Sequence, residues 1–378
     1  MLVLVAMAAL SSAAPAHAQA GAAEPGSAAS AAARKPGWIN VPRITGRLQA
    51  ADIGLVVNTA DPASVQVGEY FARQRGLAPE QVLRIELPQR QSLTREEFER
   101  LRAAIDARFG PAIQALALAW TTPYAVECNS ITGALALGFD GELCKQSCGM
   151  SRPSRYFNSP SLRPYTDFGM RPAMLLAART VGQAKALIDR GVAADASLSV
   201  RGRPPVSVML LTTDDVPRRV RTVLYPPAGL IRAVGVEVKV VPAAELANAR
   251  RVLMVTTGSV RVQLDPAMDW VPGGVGDHLT SVGGDLYGNH DQSTALAWLD
   301  AGATASHGSV SEPCNHLQKF PHPQVLLLHY LQGATVLEAY WKSVAWPQQS
   351  LFVGEPLAAP FAPRLAPTAG ASAPISAR

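Results

Sequence analysis

No stretch of this sequence is long and apolar enough to cross a bilayer. The longest apolar run, Met1–Leu10, is about half of the roughly 20 residues that a spanning helix needs. Cations are not clustered either. The net charge is +5 over 378 residues and arginine is scattered, so the counterion-displacing face of a nucleic-acid binder is excluded. Also missing are a His-Glu-x-x-His helix, a Gly-x-Ser-x-Gly elbow and a phosphate loop. The glycines of Gly273-Gly274-Val275-Gly276 have neither the lysine of a P-loop nor the spacing of a dinucleotide turn. No cofactor is implied.

What is present begins with export. Met1–Leu10 followed by Ala16-His17-Ala18 has the apolar core and small-x-small cleavage site of a secretory signal peptide, residues 1–18. The expected location is periplasmic or extracellular, and the mature chain is expected to be soluble. Residues 19–40 form a leader that is Ala/Gly/Ser-rich up to about residue 36. Residues 362–378 are an Ala/Pro/Ser tail. Neither segment buries enough to offset chain entropy, and both are expected to be flexible. About 320 residues remain, enough for a large α/β fold.

Four cysteines in an exported chain imply disulfides. Cys144 and Cys148 are close enough to bridge a tight loop, which leaves Cys128 and Cys314 for a long one. Three connectivities are open, and this one is the expectation.

The order of elements gives the fold class, α/β with parallel strands. Ile53–Asn58 reads as a buried strand, and Asp61 with Pro62 opens a helix that Gly76 closes. Val82–Leu87 is a strand. Thr94 and Glu97 form a capping box for a helix carrying Phe98, Leu101 and Ile105 on one face. Ile113–Trp120 is the next strand. Residues 121–172 are a Cys-rich excursion beyond it, at the carboxyl end where ligands of parallel sheets bind. Residues 41–190 thus form an N-terminal subdomain and 206–361 a C-terminal one, a two-part parallel-sheet sandwich. The second holds strands at Val206–Leu211, Val236–Val241, Arg251–Thr256, Leu279–Val282 and Gly302–Val310. A capping box at Thr335/Glu338 and a closing strand Leu351–Val353 follow.

Several strings resemble an uncharacterised family of exported bacterial proteins: Leu55–Ser64, Arg75–Pro79, Pro123–Asn129, Asp277–Gly284, Glu312–Asn315 and Glu338–Ser343. More distantly, the layout is similar to gingipain-type and caspase-like cysteine peptidases. That resemblance implies a caspase/gingipain-like C-terminal subdomain closed by a Gly-acidic-Pro strand, here Gly354-Glu355-Pro356. It also implies a His-Gly pair and a nucleophilic Cys at the ends of consecutive strands. Arg251–Thr256 ends in Thr257-Gly258 and Leu279–Val282 in Gly283-Gly284, so both positions are vacant. His307-Gly308 lies one strand later.

Six of the seven histidines lie from His278 to His329, and imidazoles with a thiol are the raw material of acid–base, nucleophilic and metal chemistry. Candidate catalytic residues are Cys314 with His307 or His278. Candidate metal ligands are Asp277, His278, Asp285, His290 and Asp291, though no fixed-spacing metal signature appears. His329 reads as structural, and His316 and His322 as loop residues. The expected function is a non-catalytic extracytoplasmic binding or structural module, with a ligand or peptide at the strand carboxyl ends. The alternative is a hydrolase using Cys314 and a histidine, or a metal at the Asp277–Asp291 segment.

Overall fold

The computed structural model describes residues 37–199, 203–288 and 290–363. The expected cleavage at Ala18, most of the leader and the tail beyond residue 363 lie outside the described residues.

In chain order the strands are β1 (Ile53–Asn58), β2 (Val82–Ile85), β3 (Ser92–Leu93), β4 (Ala115–Leu118), β5 (Ala125–Val126), β6 (Asn129–Ser130) and β7 (Ala173–Leu175). Then come β8 (Val206–Thr212), β9 (Gly229–Ile231), β10 (Val236–Pro242), β11 (Val252–Gly258), β12 (Trp270–Leu279), β13 (Ala305–Ser309) and β14 (Ser350–Gly354). The helices are α1 (Pro62–Arg75), α2 (Arg95–Arg108), α3 (Ile131–Leu137), α4 (Gly141–Lys145), α5 (Pro164–Phe168), α6 (Val181–Ala194), α7 (Ala295–Asp300), α8 (Pro323–Leu331) and α9 (Val336–Ser343).

Instead of two sheets there is one, of 11 strands in the order β2-β1-β4-β7-β14-β13-β12-β11-β8-β10-β9, with β3, β5 and β6 in a small separate sheet. β2, β1, β4, β7 and β14 run parallel to one another. β13, β12, β11, β8 and β10 are also mutually parallel. The two sets meet at β13–β14, which pair antiparallel from Ala305↔Gly354 to Ser309↔Ser350. The sheet is therefore mixed. The carboxyl ends of β1, β4 and β7 lie at the opposite end of the sheet from those of β11, β12 and β13.

Helices cover both faces. Alternation along β1 sends Leu55 and Val57 into the layer under α1, α8 and α9, and Val56 into the layer under α2, α3 and α7. β1 is buried throughout, as a strand covered on both faces should be. Local signals placed the helix ends. Asp61 accepts from the Ala63 N–H at 2.9 Å, Gly76 takes the left-handed conformation, and both capping boxes form. The buried Glu338 of the second box also accepts from the Leu48 N–H at 3.1 Å.

Two further expectations are corrected. The strand expected at Leu279–Val282 is β12, which ends at Leu279, and residues 281–284 form bends and turns. Its glycines look like loop but are packing positions. A Cβ on Gly276 would sit 2.3 Å from the Trp298 ring, and one on Gly274 2.6 Å from Trp270. The Cys-rich excursion at 121–172 carries β5, β6, α3, α4 and α5. Residues 37–40, expected within the flexible leader, include Ile39, whose N–H bonds Gln324 on α8 at 2.8 Å.

Candidate functional site

Asp277 and His278 are neighbours on β12, and strand alternation sends them to opposite faces. Asp277 meets Arg221, from the 3-10 turn Arg219–Leu224, at 2.5 Å, and both are fully buried. Arg221 also donates to the Thr257 carbonyl at 2.9 Å and the Pro321 carbonyl at 3.3 Å. Burial raises the Asp277 carboxyl, and Arg221 opposes that rise. The pair is a buried ion pair whose arginine is held by the Thr257 and Pro321 carbonyls, and one charge without the other would be costly.

His278 has both ring nitrogens engaged. The Trp298 indole N–H donates to Nδ1 at 3.0 Å, so Nε2 carries the proton and donates to the Ser293 carbonyl, also at 3.0 Å. Burial lowers its pKa to about 4. A neutral imidazole with its lone pair occupied cannot act as a general base. His307 on β13 is fully buried, its ring against Phe320 and Phe352, and neither ring nitrogen has a hydrogen-bond partner among the described residues. Burial holds it neutral.

Cys314 is bridged, so the thiolate that a nucleophile requires is absent. The pairing corrects the expectation: the bonds are Cys128–Cys144 and Cys148–Cys314. Sequence proximity was overridden by two local contacts. Asn129 and Asp140 exchange hydrogen bonds of 3.0 and 3.1 Å, which brings Cys128 beside α4. The buried Lys319 amine donates to the Ser147 carbonyl at 2.7 Å, which draws the Cys148 turn to the Cys314 segment. Neither His307 nor His278 is hydrogen-bonded to that segment.

The five candidate metal ligands do not converge. Asp285 accepts the Tyr124 hydroxyl and pairs with His290 at 2.6 Å, while Asp291 pairs with Arg261. Asp277 and His278 are spent as described above. Among the described residues no three His, Cys, Asp or Glu side chains are grouped to hold a metal ion. His329 bonds Asn158 at 3.0 Å and His316 packs on Trp346. Glu355, in the Gly-Glu-Pro string, takes both arms of Arg75 at 2.6 and 2.8 Å. That string therefore ties β14 to the end of α1.

The residues that do converge lie at the other end of the sheet. From β1 the chain steps outward to β2 and then returns to β4, so strand order reverses between β1 and β4. Such a reversal opens a crevice at the strand carboxyl ends. Here it holds a cavity of about 220 Å³ lined by Asp61, Ser64, Thr121, Arg179, Thr180 and Tyr287 among others. Asp61 and Thr180 are the N-cap residues of α1 and α6. Thr121 is fixed by donating to the Ala178 carbonyl at 2.7 Å and accepting its N–H at 3.0 Å. Arg179 donates through Nε to Asp300 at 2.7 Å. Tyr287 reaches in from the segment after β12, 43% exposed. Burial raises its hydroxyl pKa, while Arg179 lowers it and Asp300 and Asp61 raise it. Arg179 and Tyr287 were not legible as site residues, because no motif surrounds them and the fold alone brings them to Asp61.

No family model, curated protein or solved structure matches this chain.

Proposed function

We propose that the chain is an exported, non-catalytic binding module on a peptidase-like α/β scaffold, with its ligand in the cleft at the carboxyl ends of β1, β4 and β7. The observation that carries the reading is the cavity itself, at the reversal of strand order, lined by polar groups from elements far apart in sequence. Two disulfides support export. No helix of the described residues is long and apolar enough to cross a membrane. The caspase/gingipain-like assignment of the C-terminal half is supported by the parallel run β11–β12–β13. With β12 ending at Leu279, the strand ends read Thr257-Gly258 and His278-Leu279-Thr280, without a Cys. The engaged nitrogens of His278 and the bridged Cys314 support a module without peptidase chemistry.

The test is thermal unfolding of the full chain against a panel of small polar compounds, followed by mass spectrometry of the recovered compound. A raised midpoint that Tyr287→Ala and Arg179→Ala abolish, with the compound recovered unchanged, is the expected result. A compound recovered hydrolysed would replace the binding module with a hydrolase. A midpoint shift that survives both variants would move the site elsewhere.

A further inference from the structure

The charge pattern inside the cleft restricts what it can hold. Asp61 and Arg179 line the same cavity of about 220 Å³ and are opposite in sign. Asp61 uses Oδ1 to cap α1 through the Ala63 N–H, and no hydrogen bond reaches Oδ2 from the described residues. Arg179 uses Nε on Asp300, and among the described residues its two terminal nitrogens have no hydrogen-bond partner. One carboxylate oxygen and two guanidinium nitrogens are therefore available at the cavity. Arg179 also precedes the N-cap of α6, a helix of 14 residues whose first N–H groups have no intrahelical acceptor. The start of α6 adds positive potential there, beside an Arg179 whose charge Asp300 partly offsets.

Size sets a second limit. Drug-sized ligands occupy pockets of roughly 300–1,000 Å³, so this cleft suits a molecule of fewer heavy atoms. Tyr287 lines the cavity and is partly exposed, and the charges of Arg179 and Asp61 both act on its phenol. Ser64 and Thr121 add hydroxyls, although Ser64 already accepts the Asn58 N–H at 2.9 Å. A small monoanion would meet Arg179 but leave Asp61 without a counter-charge and be repelled by it. A small monocation would meet Asp61 but be repelled by Arg179. A neutral polyol would leave the Asp61 carboxylate desolvated without an opposite charge, which is unfavourable, while Arg179 would keep only Asp300.

We propose that the cleft binds a free α-amino acid, its carboxylate on Arg179 and the start of α6 and its ammonium on Asp61. This rests on the binding-module reading and names the ligand class of the same site. Arg179 gives the carboxylate a charge-assisted, planar donor pair. Asp61 supplies the counter-charge for the ammonium. The side chain then points toward Tyr287, the partly exposed aromatic ring of the lining, so the residue at 287 sets selectivity among amino acids.

Titration calorimetry on the full chain with glycine, L-alanine, acetate, ethylamine and glucose tests this. L-Alanine or glycine is expected to bind at least about tenfold more tightly than acetate or ethylamine. Asp61→Asn keeps the helix cap, since Asn caps as well as Asp, while removing the charge. Asp61→Asn and Arg179→Gln are each expected to weaken amino-acid binding at least about tenfold, with the unfolding midpoint of the ligand-free protein held close to the parent's. Glucose, acetate or ethylamine binding more tightly than either amino acid, in a manner lost in Tyr287→Ala, would overturn the zwitterion and leave the binding module standing. Unchanged amino-acid affinity in both charge variants would also overturn it. Silence of all five probes would overturn the amino-acid assignment and count against the cleft as a ligand site.

Discussion

At the scale of single residues, His278, His307 and His329 are structural: each is buried, and burial holds each below the ordinary imidazole range. His278 makes the consequence measurable. Its folded-state pKa is about 4, against roughly 6.5 in an unfolded chain. Between those values the unfolded state binds the extra proton, so stability is complete above about pH 6.5 and falls as pH drops toward 4. By pH 4.5 the loss from this one group is about 2–3 kcal/mol. His307 and His329 are also lowered by burial and act in the same sense, whereas burial raises Asp277, Glu338 and Glu355, which act in the opposite one. The histidine is isolated by His278→Gln, whose amide can accept from Trp298 and donate to Ser293 without titrating. Urea unfolding at pH 7 and pH 4.5 should show the variant losing about 2–3 kcal/mol less than the parent. Equal losses would mean that His278 is solvated or already charged in the native state.

At the scale of elements, β12 shows how packing overrides propensity. Its Pro272 and three glycines disfavour a strand on intrinsic grounds, yet it runs ten residues from Trp270 to Leu279. Trp298 of α7 lies directly on the strand and leaves no room for a side chain at Gly276. The same Trp298 donates to His278 two residues further on, on the same face of the strand, so the small residue and the buried imidazole belong to one contact. Gly276→Ala places a methyl 2.3 Å from the indole and must push α7 away or strain the strand. A destabilisation of about 1–3 kcal/mol is expected, read as a lower denaturant midpoint at unchanged slope. A neutral or stabilising result would show that α7 can shift freely, and that Trp298 does not pin the strand.

At the scale of the whole molecule, the two disulfides do unequal work. Cys148–Cys314 spans 166 positions of sequence and Cys128–Cys144 spans 16. In the chain-entropy account, closing the longer loop removes more unfolded-state freedom, about 5 kcal/mol against about 3. Cys148→Ser or Cys314→Ser should therefore lower the melting temperature of oxidised protein more than Cys128→Ser or Cys144→Ser, and reductant should lower the parent's. Peptide mapping under non-reducing conditions should yield the 128–144 and 148–314 linkages. Recovery of a 144–148 linkage would refute the arrangement, and with it the tether between the excursion and the segment after β13.

The sequence by itself determined what depends on near neighbours along the chain. The ends of α1, the capping boxes of α2 and α9, and the α/β class with its parallel strands were legible because caps and periodicity act within a few residues. Tertiary structure alone decided three other matters. It joined two expected sheets into one through the antiparallel pair β13–β14, a junction between strands separated by α8 and α9. It chose the cysteine partners, because hydrogen bonds of Asn129 and Lys319 outweighed proximity in sequence. And it assembled the cleft from Asp61, Thr121, Arg179 and Tyr287, which share no motif and meet only where the order of the strands reverses.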